Sequence, residues 1–292
     1  MKLLRHGQPG EERPGILDSA GNIRDLTGVI PDISAETLAP AALAALRTLD
    51  LATLPVVAAD VRLGPCVGSI SKVVGVGQNY HDFIERSGLP LPAKPLLFMK
   101  PLSTLCGPND DIVLPAGAMQ ADWEAELGVV FGRPAQNVTQ EDAMSYVAGF
   151  CVINDITERG WIAESGQLLN GKGADTFTPI GPWLVTSDEV PDPQNLGIHL
   201  DLNGEKWQDG NTASMIFNIR FLISHISRFM TLLPGVVLAT GTPAGVGGRA
   251  TPPVFLLAGD RMRLGVEGLG EQRSRVVARG NDNNQELRYE RH

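Results

Sequence analysis

Beyond residue 65 the apolar residues come in short runs punctuated by glycine and proline: Val73 to Val76, Leu96 to Met99, Ile112 to Leu114, Leu127 to Phe131, Val147 to Ile153, Trp183 to Val185, Ile198 to Leu202, Val236 to Ala239 and Met262 to Val266. Runs this short, between turn-forming residues, predict strands, so residues 66–292 read as a β-rich body. Two stretches have helical character. Thr139 to Tyr146 carries Glu141 and Asp142 in its first turn, and Ser214 to Thr231 is longer; both are expected to pack against the outside of the sheets. Residues 1–65 read as a small N-terminal domain. It begins with a short strand at Met1 to Arg5, followed by Gly15 to Asp18 and a turn at Ser19-Ala20-Gly21-Asn22. Helical spacing from Ala35 to Leu51 is interrupted at Pro40 and followed by Pro55, as for one or two short helices. The polar tail from Asn281 to His292 is expected to fray. The pattern predicts a β-rich α+β fold with peripheral helices.

One apolar run is preceded by charge. In Asp122-Trp123-Glu124-Ala125-Glu126-Leu127, strand geometry sends Glu124 and Glu126 to the same face. Two like charges side by side on a half-buried strand repel and lose solvation, which a divalent cation would relieve. The competing reading is a solvated acidic edge. A third carboxylate, Asp155, follows the run Val147 to Ile153 and Asn154, where a strand end presents side chains to a pocket. Three carboxylates with no cysteine or histidine at metal-ligand spacing make a hard oxygen-donor set, suited to Mg²⁺ or Mn²⁺ and less to Ca²⁺.

Composition narrows the partners. A net charge of -9 over 292 residues argues against nucleic acid or an anionic membrane surface. Cys66, Cys106 and Cys151 are odd in number and widely spaced, giving neither a disulfide framework nor a zinc cluster, and a reducing cytoplasm is expected. No run approaches bilayer-spanning length and the N-terminus lacks a signal-peptide core. A small anionic substrate must therefore be met by a metal or by a few placed cations. Lys172 stands between two glycines, in a turn that a ligand could approach or that could simply be exposed. The run from Ala239 to Gly248 lacks the lysine and spacing of a P-loop and any dinucleotide fingerprint, but offers backbone N–H groups and two threonine hydroxyls to a carboxylate or oxo group.

The blocks G-x-N-Y (Gly77 to Tyr80), F-x-K (Phe98 to Lys100), D-W-E-x-E-L-G (Asp122 to Gly128), N-D-x-x-x-R (Asn154 to Arg159), G-K-x-x-D-T-F (Gly171 to Phe177), P-I-G-P-W (Pro179 to Trp183), N-G-x-x-x-Q (Asn203 to Gln208), N-T-x-x-M-I-F (Asn211 to Phe217) and T-G-T-P-x-G-V-G (Thr240 to Gly247), in this order, resemble the fumarylacetoacetate hydrolase family. The N-terminal M-K-L-L-R with G-I-L-D, and Pro191 to Leu196, are most similar to the branch that hydrolyses diketo-deoxy sugar acids such as 2,4-didehydro-3-deoxy-L-rhamnonate. The resemblance implies a mixed β-sandwich or roll, a homodimer, and a small-molecule 2-oxo or 2,4-dioxo acid substrate. It also implies metal ligation by Glu124, Glu126 and Asp155, a catalytic role for Lys172 beside the reacting oxygen, and substrate contacts from Tyr80, Lys100, Arg159 and Thr242. A 2-oxo acid chelating the cation would have its developing enolate charge stabilised as a C–C bond breaks.

The chain also departs from that pattern. Hydrolytic members carry a histidine and a glutamate where this sequence has Phe83 and Arg86, and phenylalanine cannot accept a proton. His81 and Glu85, four apart on one helical face, could form a shifted pair, although a two-residue shift rotates a helix by roughly 200°. The alternative for His81 is a surface histidine on a lid. Ile162 stands where the family often has glutamine. Three functions follow: C–C bond hydrolysis; decarboxylation or keto-enol tautomerisation at the same metal without the dyad; or a non-catalytic protein that binds oxo acids.

Overall fold

In chain order the elements are β1 (Lys2–His6), β2 (Arg13–Leu17), β3 (Ile23–Asp25), α1 (Pro40–Arg47), β4 (Val73–Gly77), α2 (His81–Ser87), β5 (Leu96–Lys100), β6 (Ile112–Leu114), β7 (Ala125–Phe131) and β8 (Val147–Asn154). They continue as α3 (Arg159–Ser165), α4 (Leu168–Lys172), β9 (Leu184–Thr186), β10 (Gly197–Leu202), β11 (Glu205–Asn211), α5 (Ile219–Ser227), β12 (Val237–Ala239), β13 (Arg261–Val266) and β14 (Gly270–Ala278), with two-residue strands and 3₁₀ turns between them. This computed structural model describes residues 1–279, so the expected fraying of Asn281 to His292 lies outside the described residues.

Nine strands form one mixed sheet in the order β3-β2-β1-β9-β8-β7-β12-β4-β5, and five form a second in the order β11-β10-β13-β14-β6. The fold is β-rich α+β, as the punctuated apolar runs predict. Strand β7 lies near the centre of the large sheet and is buried along its whole length. Leu127, Val129 and Phe131 enter a core shared with Leu200 and Leu264 of the small sheet. Val130 enters a second core, with Leu3, Ile16 and Val237. A strand buried on both faces reads as a continuous apolar run. In β10, by contrast, Ile198, Leu200 and Leu202 are buried and the residues between them are partly exposed.

The N-terminal strands extend the large sheet, Leu3 pairing with Leu184 across β1 and β9. The turn at Ser19 to Asn22 joins β2 to β3. Pro40 begins α1 rather than breaking it, because the first helical position needs no N–H donor. The two expected helices are shorter than their patterns. Thr139 to Tyr146 yields only a 3₁₀ turn over Ala143–Tyr146. In Ser214 to Thr231, the Asn218 side chain accepts a hydrogen bond from Phe221 N and starts α5 at Ile219. Among the described residues no helix is long and apolar enough to cross a membrane.

Candidate metal centre and its cavity

The register between β7 and β8 builds the site. Ala125 pairs with Asn154 and Glu126 with Ile153. One step further, Asp155 N donates to Glu124 O at 2.9 Å. Cross-strand partners share a face, so Asp155 lies beside Glu124, and Glu126 is on that same face. Carboxylate oxygens of Glu124, Glu126 and Asp155 lie within 4.8 Å of one another, and all three residues are buried. The glycine ending the E-x-E-L-G block has a packing reason: a Cβ on Gly128 would stand 2.8 Å from the Cys151 sulfur and 2.7 Å from Ile153 Cδ1.

The Thr240 to Gly245 loop follows β12 and lies along the start of β7. Thr240 Oγ1 donates to Leu127 O at 2.9 Å and Thr242 Oγ1 to Ala125 O at 2.8 Å. Gly241 N donates to Glu126 Oε2 at 2.8 Å. Gly241 has φ +97°, and a Cβ there would meet Val76 O at 2.9 Å, so only glycine presents this amide without strain. Asn79 holds the loop from behind, donating to Thr240 O at 2.8 Å. Gln208 accepts from Ala125 N at 2.9 Å and donates to Thr242 Oγ1 at 2.8 Å and Pro243 O at 3.0 Å. Gln208 is a positioning residue that sequence reasoning met only as the end of a motif.

Three cations meet the carboxylates. Lys172 Nζ donates to Asp155 Oδ2 at 2.5 Å, Glu124 Oε2 at 3.0 Å and Thr157 Oγ1 at 2.9 Å, and lies 4.7 Å from the centroid of the Phe98 ring. It ends α4 and is buried, so the exposed-turn alternative falls away. Lys100 Nζ, on β5, donates to Asp155 Oδ1. Arg159 opens α3, with Nε donating to Asp122 Oδ1 at 2.8 Å and a terminal nitrogen to Glu124 Oε1 at 2.6 Å. Asp122 also accepts from Gly248 N at 2.7 Å.

Burial pushes the Asp122 carboxyl up to about 6 although Arg159 opposes it. Burial, reinforced by Asp155 and Glu124, drives the Glu126 carboxyl well above the usual carboxylate range. At Asp155 burial also raises, but the ammonium groups of Lys100 and Lys172 prevail and hold it below that range. Burial lowers the Lys172 ammonium, and Asp155 and Glu124 more than reverse this.

The donor set fits a divalent cation. Four carboxyl groups, of Asp122, Glu124, Glu126 and Asp155, meet three cations, of Lys100, Lys172 and Arg159, and the crowding that raises Glu126 is what a divalent cation would relieve. The converging atoms are all hard oxygens, the preference of Mg²⁺ and Mn²⁺.

A cavity of about 400 Å³ opens over these groups. Glu124, Arg159, Lys172 and Thr242 line its polar side, and Phe83, Phe98, Leu96 and Ile162 its apolar side. The other sequence candidates lie elsewhere. Lys100 and Tyr80 are fully buried and are not among the cavity-lining residues. Burial, then the Glu126 charge, raises the Tyr80 phenol well above its usual value. The structure does not bring the His81–Glu85 pair to the cavity. In α2, Phe83 and Ile84 are buried while His81 and Glu85 are exposed, as a period of about 3.6 residues requires. Phe83 holds the lining position, and no histidine lines the cavity among the described residues.

The sequence model described as Fumarylacetoacetate (FAA) hydrolase C-terminal matches residues 72–277. A protein of Burkholderia multivorans, provisionally named a hydrolase, is 54% identical over 274 residues, covering 93% of this chain and 97% of the relative. Maleylpyruvate hydrolase from Sphingobium sp. SYK-6, solved with manganese(II) and pyruvate, superposes with a TM-score of 0.81 at 30% identity, covering 96% of this chain and 100% of that one. The 5-carboxymethyl-2-hydroxymuconate delta-isomerase from Mycobacterium smegmatis superposes with a TM-score of 0.75 at 32% identity, with the same coverage of 96% and 100%.

Proposed function

Because this chain belongs to the fumarylacetoacetate hydrolase family, we propose that it hydrolyses a carbon–carbon bond of a 2-oxo or 2,4-dioxo acid with the help of a divalent cation. The observation that carries the reading is the trio of buried carboxylates with Lys172 bridging two of them beneath the cavity. When bound by Glu124, Glu126 and Asp155, Mg²⁺ or Mn²⁺ supplies Lewis-acid polarisation of the keto oxygen. Lys172 places a positive charge beside that position, and Arg159 and Thr242 orient the substrate from the cavity wall. Lys100 acts from behind, through Asp155, whereas Tyr80 belongs to the hydrophobic core and its hydroxyl has no hydrogen-bond partner among the described residues. Phe83, Phe98 and Ile162 keep that side of the cavity apolar, which strengthens these charges by limiting water. In the reaction, water adds to the second carbonyl and the C–C bond breaks toward the 2-oxo acid fragment. That fragment takes up a proton to leave two carboxylic acids. The Mn²⁺ and pyruvate complex of the maleylpyruvate hydrolase supports the metal and the 2-oxo acid class.

A second reading is favoured by Phe83. Hydrolysis needs an acceptor for the proton of water, whereas tautomerisation or decarboxylation needs chiefly a stabilised enolate. The likeness to a delta-isomerase supports this alternative. Purified protein with Mg²⁺, Mn²⁺ or EDTA, offered acylpyruvates, diketo-deoxy sugar acids and oxaloacetate, separates the readings by product mass. Carboxylic acid fragments support hydrolysis, carbon dioxide supports decarboxylation, and products of unchanged mass support isomerisation. Turnover indifferent to EDTA sinks the metal-centre reading. A homodimer in the cytoplasm completes the proposal; a monomeric mass by light scattering would overturn the assembly.

A further inference from the structure

A second cavity of about 270 Å³ adjoins the one over the carboxylates, and Phe83 and Arg249 line both. The two cavities differ in how their polar groups are employed. Arg159 and Lys172 are committed to buried carboxylates. The wall of the second cavity carries Arg86, Lys206 and Arg249 against one carboxylate, Glu205. Lys206 pairs with Asp209 at 3.0 Å, whereas Arg86 and Arg249 form no ion pair with any described residue. Ser87 also lines this cavity, and its buried hydroxyl has no hydrogen-bond partner. A buried hydroxyl without a partner is costly unless a ligand or water completes it. In a chain of net charge -9, two uncommitted guanidinium groups at one cavity make a local anion trap. The wall shared by the two cavities offers the apolar Phe83 ring and the Arg249 guanidinium.

We propose that the second cavity is a subsite for the anionic far end of an extended oxo acid, with the hydrocarbon linker crossing Phe83 and the distal carboxylate meeting Arg249. Arg86 and Ser87 complete the cradle. The guanidinium plane suits a carboxylate, which it can engage through two parallel hydrogen bonds. The inference rests on the oxo-acid reading above and adds to it which substrates are preferred and which residues make the choice.

Calorimetry on the Mn²⁺-loaded protein tests it, comparing 2-oxoadipate and 2-oxopimelate with the monocarboxylic 2-oxo acids of equal chain length. A charge-assisted contact of this kind makes at least one dicarboxylate bind about tenfold tighter than its monocarboxylic counterpart. Arg249→Met narrows that ratio to about twofold, Arg249→Lys retains part of it, and Arg86→Met narrows it less. Equal binding by the unmodified protein, or a ratio unmoved by both methionine variants, overturns the subsite and leaves the oxo-acid reading standing. No binding of any of the four compounds overturns the oxo-acid reading and the subsite with it.

Discussion

The floor and the wall of the cavity are built differently. The floor stands on two central strands, with Glu126 and Asp155 fully buried and each tied to neighbouring elements by charged or backbone hydrogen bonds. The wall stands on the edge strand β5 and the short helices α2, α3 and α4. Its apolar residues include Leu96, Phe98, Phe83 and Ile162, while Arg159 and Lys172, at the ends of α3 and α4, reach back to the carboxylates of the floor. Strands held on both sides fix side chains in register, whereas a short surface helix exchanges one facing residue for another at small cost to the fold. The floor therefore sets what chemistry is available, and the wall sets which molecule and which proton acceptor meet it.

Altering the floor has the largest expected effect. Asp155→Asn removes a charge shared by Lys100 and Lys172, and metal-dependent turnover falls about a thousandfold. Activity within tenfold of the original, in a variant whose circular dichroism is unchanged, would break the contrast. Gly241→Ala strains a backbone at φ +97° and presses on Val76 O. It lowers stability by about 2 kcal/mol, read from the urea midpoint. Phe83→His sharpens the contrast from the wall side: a proton acceptor at the lining position raises the hydrolytic share of product about tenfold, measured by mass. An unchanged product ratio would show that the wall does not govern proton transfer. The smallest effect belongs to His81→Ala, whose side chain is exposed outside the cavity. Turnover changes by less than about twofold, because a substitution on an exposed face leaves the site's contacts intact.

Strands buried on both faces were the most legible part of the fold. The apolar run Leu127 to Phe131 lies within β7 and Val147 to Ile153 within β8. Strands β11 and β14 went unread. In EKWQDGN only Gln208 is buried, and in GEQRSRVVA the buried positions are Gln272, Ser274 and Val276, so polar residues at inward positions mask the alternation. The helical segments α3 and α4 were missed as well, since each is short and partly exposed and local periodicity has little room to show. At the site, the E-x-E spacing declared a shared face, which follows from the two-residue period of a strand. Nothing local to Lys172 told a buried lysine from an exposed turn; the resemblance to a family did.

The sequence by itself determined the carboxylate pair, the missing histidine at Phe83 and the family, because each is a matter of residue identity at fixed spacing. Only the tertiary structure decided that Asp155 faces Glu124 across the strands, that Lys172 and Lys100 are buried against Asp155, and that Phe83 rather than His81 lines the cavity. Those outcomes depend on strand register, on which side of a helix finds a core, and on charges from distant segments sharing one buried volume. Each is a relation between parts of the chain that no local spacing encodes.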